Sequence, residues 1–143
     1  MVEDQLRKRG IADENVLMKM GELPRHLFVE EGLRPRSYED RPLHIGLGQT
    51  ISQPYMVGFM LQALELSGNE TVLEIGTGCG YQTALLSGLA RKVYSVERLS
   101  PLLMKARKNL KQLHVKNVVL RCKDGSLGWE EAAPFDRIVV AAV

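Results

Sequence analysis

Several things are scarce in this sequence. Cysteine occurs twice in 143 residues, at Cys79 and Cys122, with no recognisable spacing. That excludes a disulfide-stapled mini-protein and reads as two reduced thiols in a cytoplasmic chain. The longest wholly apolar run, residues 138–143, is far short of the ~20 residues of a membrane span. Neither sign of charge is in excess: nineteen basic residues stand against seventeen acidic ones, a formal +2. Charge alone therefore gives no nucleic-acid footprint. The histidines, His26, His44 and His114, are scattered and form no ligand-type pair, so no metal site is expected. Glu3 and Asp4 stand where a secretory leader would be basic and then apolar, so no leader is expected. No internal repeat or low-complexity segment is present. What remains is ordinary: 45% hydrophobic and 25% charged residues. A chain of this size can bury roughly 68–70% of its unfolded surface, as one domain.

Residues 1–53 read as an irregular region and 54–143 as a regular core. Asp13 suits a helix N-cap, with Val16, Met20 and Leu23 at helical spacing before Pro24 stops the pattern. Glycines and prolines crowd the stretch from Gly32 through Pro35, Pro42, Gly46 and Gly48 to Pro54. A long loop with extended pieces is expected there, and such loops are often functional. A helix is predicted from Pro54, with Val57, Met60, Leu61 and Leu64 on its stripe and 67–69 as its end. Strands are then predicted at 71–75, 93–96, 118–120 and 137–143. Helices are predicted at 81–90 and from Ser100 through Leu113, the latter with a solvated outer face of Lys105, Arg107, Lys108 and Lys111. This alternation means βαβ units: an α/β, doubly wound, Rossmann-like parallel sheet with flanking helices, its ligand at the carboxyl ends of the strands.

The stretch Glu74-Ile75-Gly76-Thr77-Gly78-Cys79-Gly80 joins the first core strand to its helix. Glycines there permit a tight turn and close approach of a ligand to the backbone. A dinucleotide fingerprint would carry its third glycine where Tyr81 stands, and Glu74 precedes the first glycine by two. Both departures favour a loop for S-adenosylmethionine; the bland alternative is a tight turn. Glu97 ends the next strand, about 20 positions after Gly76, where an acidic side chain can accept from ribose hydroxyls. Asp124-Gly125 follows the third strand; Asp124 can accept from an adenine amino group or merely form a turn. Ser52 is not in a nucleophile elbow. It precedes a helix, where it either helps hold an anionic carboxylate or only caps the helix.

These residues resemble class I S-adenosylmethionine-dependent methyltransferases. The stretch Ile45-Gly46-Leu47-Gly48-Gln49-Thr50-Ile51-Ser52-Gln53-Pro54-Tyr55-Met56-Val57 narrows the resemblance to the protein-L-isoaspartate (D-aspartate) O-methyltransferases. Pro24-Arg25-His26-Leu27-Phe28-Val29 and residues 135–142 are similar to that family as well. The resemblance implies methyl transfer from S-adenosyl-L-methionine to the free carboxylate of L-isoaspartyl residues in damaged proteins, as a repair step. It implies Ser52 as the catalytic residue and Thr50, Ile51 and Ser52 as the substrate side. It implies Glu74, Gly76, Thr77, Gly78, Gly80, Glu97, Arg98, Asp124 and Gly125 as the cofactor side. Isoaspartyl peptides and proteins would be the partners, with no nucleic acid and no membrane.

Members of that family run further, so C-terminal strands are expected to be missing from this chain. The expectation that follows is marginal stability, self-association through the last strand and little activity. A methyltransferase for another substrate, or a cofactor-binding fragment without catalysis, are the competing readings.

Overall fold

The computed structural model describes residues 1–141; Ala142 and Val143, assigned above to the last strand, lie outside the described residues. Helix α1 (Glu14–Glu22) starts where Asp13 accepts from the Asn15 and Val16 amides, and Leu23 turns extended ahead of Pro24. The stretch read as a long loop is more ordered than that. It holds a 3-10 segment, Glu31–Arg36, and an antiparallel hairpin, β1 (Leu43–Gly46) with β2 (Gln49–Ile51). Leu43 faces Ile51 and His44 faces Thr50, while Gly46, Leu47 and Gly48 all turn at positive φ. Strands of four and three residues are too short to display an alternating pattern, which is why the hairpin was not legible.

Helix α2 (Pro54–Ala63) begins at the predicted proline but stops earlier than expected. The Leu64 carbonyl is taken by Arg137 Nε at 2.6 Å and Glu65 turns at φ 50°. A partner so distant in sequence leaves no local signal. Helix α3 (Tyr81–Ser87) also ends before the predicted position, because Asn117 Nδ2 takes the Ser87 carbonyl at 2.9 Å and the Gly88 and Leu89 amides turn to tighter bonds with Leu85 and Leu86. Helix α4 (Ser100–Gln112) buries Leu102, Leu103, Ala106 and Leu110.

Four parallel strands carry the core: β3 (Thr71–Ile75), β4 (Lys92–Glu97), β5 (Val118–Cys122) and β6 (Arg137–Val140), in the order β5-β4-β3-β6. Alternate residues serve opposite faces. Val72, Val93 and Val139 join the large cluster under the helices, while Leu73 and Val96 pack with Trp129 on the other face. Ile138 and Val140, on that second face, remain 56% and 53% exposed. Asp136 sets the register of β6: its amide donates to the Thr71 carbonyl at 2.9 Å, and its Oδ2 accepts from the Thr71 amide at 2.8 Å. The chain builds outward from β3 through β5, then returns to place β6 on the other side. The carboxyl ends of β3 and β6 thus flank the point where strand order reverses, the usual ligand crevice of such sheets. No described helix is long and apolar enough to cross a membrane.

Candidate functional site

Two walls meet at that crevice. The sheet wall is the glycine turn after β3. The amides of Gly76 and Thr77 both donate to the Val96 carbonyl, at 2.9 and 3.2 Å, tying the turn to β4. Glu97, at the end of β4, accepts from the Gly78 amide through one oxygen and from the Leu99 amide through the other, each at 2.9 Å. It is buried rather than solvated. Its carboxylate therefore shapes two turns, and a carboxylate has lone pairs to spare for hydroxyl donors in the cleft.

Two residues assigned to the cofactor side sit elsewhere. Glu74 is fully buried beneath the turn and does not line the cleft. Its Oε1 accepts from Thr83 Oγ1 and, at 2.7 Å, from Ser95 Oγ. Ser95 Oγ also lies 2.6 Å from Thr77 Oγ1, so the network ends on a residue that does line the cleft. Burial pushes the Glu74 carboxyl up to about 7, against the pull of hydrogen bonds from Thr83 and Ser95. Gly80 likewise misses the cleft: at φ 91° it opens α3, and a Cβ there would stand 3.3 Å from the Ala106 backbone of α4. Its absence of side chain serves helix packing.

The hairpin wall is the end of β2 with the start of α2. Gln49, Thr50, Ile51 and Ser52 face Gly76, Thr77, Gly78, Tyr81, Gln82 and Glu97 across a cavity of about 170 Å³. The structure corrects one reading of Ser52. Gln53, not Ser52, is the N-cap position of α2, and no side chain of its own caps the helix there. Asp40 Oδ1 takes the Tyr55 amide at 3.0 Å instead. The first turn is thus already capped, and the Ser52 side chain is left to the cavity.

A second cavity of about 440 Å³ continues along the strand ends. Arg98, Leu99, Asp124, Gly125 and Ser126 line it with Ile75, Val96 and Val140, and it shares Gln49, Gly76 and Glu97 with the first. Asp124 accepts from the Ser126 amide at 2.9 Å, which holds its carboxyl below the usual range. Gly125 lies so close to β3 that a Cβ would stand 2.4 Å from Ile75 Cγ2. The smaller cavity is walled mainly by polar groups and the larger mainly by apolar ones. Gln82 lines the smaller cavity with both amide atoms buried and unpartnered. Glu97 lies at the junction, and the larger cavity sets apolar walls beside Asp124.

Sequence reasoning missed Gln49, Tyr81, Gln82, Leu99 and Ser126. Gln82 did leave a signal: a polar residue in a short helix whose first six positions are all buried. Arg25, completely buried, was also missed as a structural residue.

Comparisons with known proteins show the family and the fold. The model of the protein-L-isoaspartate(D-aspartate) O-methyltransferase family matches residues 1–143. The chain is 55% identical over 142 residues to the protein-L-isoaspartate O-methyltransferase of Geobacter metallireducens, and 58% identical over 142 residues to that of a Synechococcus strain. Each alignment covers 99% of this chain but only 66% and 58% of those curated relatives. Among solved structures, a protein-L-isoaspartate O-methyltransferase superposes with a TM-score of 0.87 at 30% identity, over 99% of this chain and 48% of that one. A Plasmodium falciparum structure, described as a protein of the same name in complex with S-adenosyl-L-homocysteine, superposes with a TM-score of 0.82 at 25% identity, over 99% of this chain and 72% of that one.

Proposed function

The chain belongs to the protein-L-isoaspartate(D-aspartate) O-methyltransferase family, and on that premise we propose that it transfers a methyl group from S-adenosyl-L-methionine to the free carboxylate of L-isoaspartyl residues in damaged peptides and proteins. The observation that carries the reading is the pairing of walls: Thr50, Ile51 and Ser52 stand across one small cavity from Gly76, Thr77, Gly78 and Glu97. A donor held by the second set meets an acceptor held by the first. The cytoplasm, where Cys79 and Cys122 remain free thiols, is the proposed compartment. The outer edge of β6 is the proposed surface for self-association, since Ile138 and Val140 are exposed beside it.

The cofactor, when bound, supplies an activated methyl on a sulfonium. Glu97 would receive its ribose hydroxyls, Arg98, Asp124 and Gly125 would hold its base, and Gly76, Thr77 and Gly78 would hold its amino-acid end. Glu74 acts at one remove, holding Thr77 through Ser95. The acceptor carboxylate has an ordinary pKa near ~4 and is ionised at pH 7, so no general base is required. The protein's contribution is alignment, for which effective molarities of roughly 10⁵–10⁸ M are available. Ser52 would donate a hydrogen bond to one carboxylate oxygen, leaving the other free to take the methyl.

The test is transfer of labelled methyl from S-adenosyl-L-methionine to an isoaspartyl peptide, with the aspartyl twin as control. Label on the isoaspartyl peptide alone is expected. Cofactor binding without transfer selects a binding fragment, and transfer to neither peptide but to another substrate overturns the assignment.

A further inference from the structure

Arg25 is an unusual buried cation. It is 0% exposed. Its Nε donates to the Ser37 carbonyl at 2.5 Å and its Nη2 to the Ser52 carbonyl at 2.9 Å. Its Nη1 is buried without a partner, and no described carboxylate forms an ion pair with it. The guanidinium lies over the Tyr81 ring, 4.8 Å from its centre. The Tyr81 hydroxyl is also buried and unpartnered, and Tyr81 lines the same small cavity as Ser52. A charge removed from water is costly unless a counter-charge or several hydrogen bonds offset the loss. Two carbonyls and an aromatic face offset it only in part. Burial accordingly lowers the pKa of Arg25, against the opposing pull of Tyr81, Cys79 and Tyr38, the titratable groups around it.

The geometry points to an anionic ligand as the missing counter-charge. We propose that Arg25 is the positioning residue of a carboxylate subsite in the smaller cavity: from behind the wall it fixes the Ser52 backbone and supplies the positive potential that selects an ionised acceptor. This deepens the proposed function and rests on it. The charge acts through Ser52 and Tyr81 and touches no substrate atom, so it does not need a path to solvent. Across a partly buried wall the field is weakened but still favours an anion on the far side.

The discriminating experiment is equilibrium binding, without turnover. The full chain is saturated with S-adenosyl-L-homocysteine and titrated with an isoaspartyl hexapeptide or with the same peptide as its methyl ester. Wild type is expected to prefer the acid at least tenfold. Arg25→Met, which keeps the volume and removes the charge, is expected to bind both alike, whereas Arg25→Lys keeps most of the preference. Affinity for S-adenosyl-L-homocysteine, measured in each variant, reports that the fold is intact; Arg25→Gln, which is neutral but can still donate to a backbone carbonyl, serves if Arg25→Met does not fold, and is expected to lose the acid preference as well. An unchanged acid preference in folded Arg25→Met, or in Arg25→Gln should that variant be needed, overturns the inference and leaves the functional reading standing. A wild-type chain that binds S-adenosyl-L-homocysteine but not the acid peptide overturns both.

Discussion

The two walls of the cleft are built on different principles. The sheet wall is made of neighbours in a regular structure. β3, its turn and β4 are joined strand to strand, and Glu97 closes two turns with a single carboxylate. The hairpin wall is made of distant pieces held by side chains. Asp40 caps α2, Arg25 ties Ser37 to Ser52, and Gln62 reaches back to the amides of Ala12 and Asp13. The first wall is rigid because its backbone bonds are mutual. The second is as rigid as a few long-range contacts make it. Substitutions in the sheet wall should therefore cost more, and should damage cofactor binding; those in the hairpin wall should cost less, and should damage acceptor binding.

The largest expected effect is in the sheet wall. Glu97→Ala leaves two turn amides without an acceptor, a loss of roughly 2–4 kcal/mol in stability, together with at least a tenfold loss of S-adenosyl-L-homocysteine affinity. Urea unfolding and calorimetry measure the two; a folded variant with native affinity would remove Glu97 from the cofactor wall.

Next comes Glu74→Gln. The buried carboxyl is raised to about 7 from 4.5. The folded state therefore favours the proton. Its stabilisation is complete below pH 4.5 and is lost as pH rises through about 7. Wild type should lose on the order of 3 kcal/mol over that window from this group alone. Glutamine keeps an acceptor for Thr83 and Ser95, and sets an amide where the unpartnered Oε2 lies near Gln82. Stability of the variant should be flatter from pH 4.5 to 8. Parallel wild-type and variant curves would show that Glu74 does not titrate there.

In the hairpin wall, Asp40→Ala removes a cap, worth about 1 kcal/mol, and its ion pair with Arg9 is half exposed and adds little. Cofactor affinity should hold while acceptor binding weakens. A drop in cofactor affinity equal to that of Glu97→Ala would erase the contrast between the walls. The smallest effect belongs to Leu47→Gly at the hairpin tip. Leu47 is 57% exposed at φ 55°, and glycine relieves that backbone while adding freedom to the unfolded chain. The two nearly cancel, so the change in unfolding midpoint should stay within about 0.5 kcal/mol.

The same contrast governs what the sequence discloses. β3, β4, β5 and α4 are legible because apolar spacing and turn residues are local, and Gly76, Gly78, Glu97 and Asp124 sit at the ends of elements so found. The hairpin, Asp40 and Arg25 are not, because their roles depend on partners that chain topology brings together. Glu74 shows a subtler limit. Its place two residues before Gly76 suggested the cofactor, but strand alternation turns its side chain toward α3. Gly80, similarly, turns at φ 91° with Ala106 close against it, a constraint set by a helix far along the chain.

Asp136 carries a last consequence. A strand that slips by one residue presents its other side to everything it meets. In β6 that exchange would bring Ile138 and Val140 under the helices and send Val139 outward, with no penalty in hydrophobicity to reveal the mistake. Apolar side chains thus leave the strand ambiguous between two readings. The two bonds between Asp136 and Thr71 exist in one of them only. A single carboxylate at the strand's threshold acts as an index mark, and the alignment of the cleft's third strand is decided by that mark rather than by the greasy surface behind it.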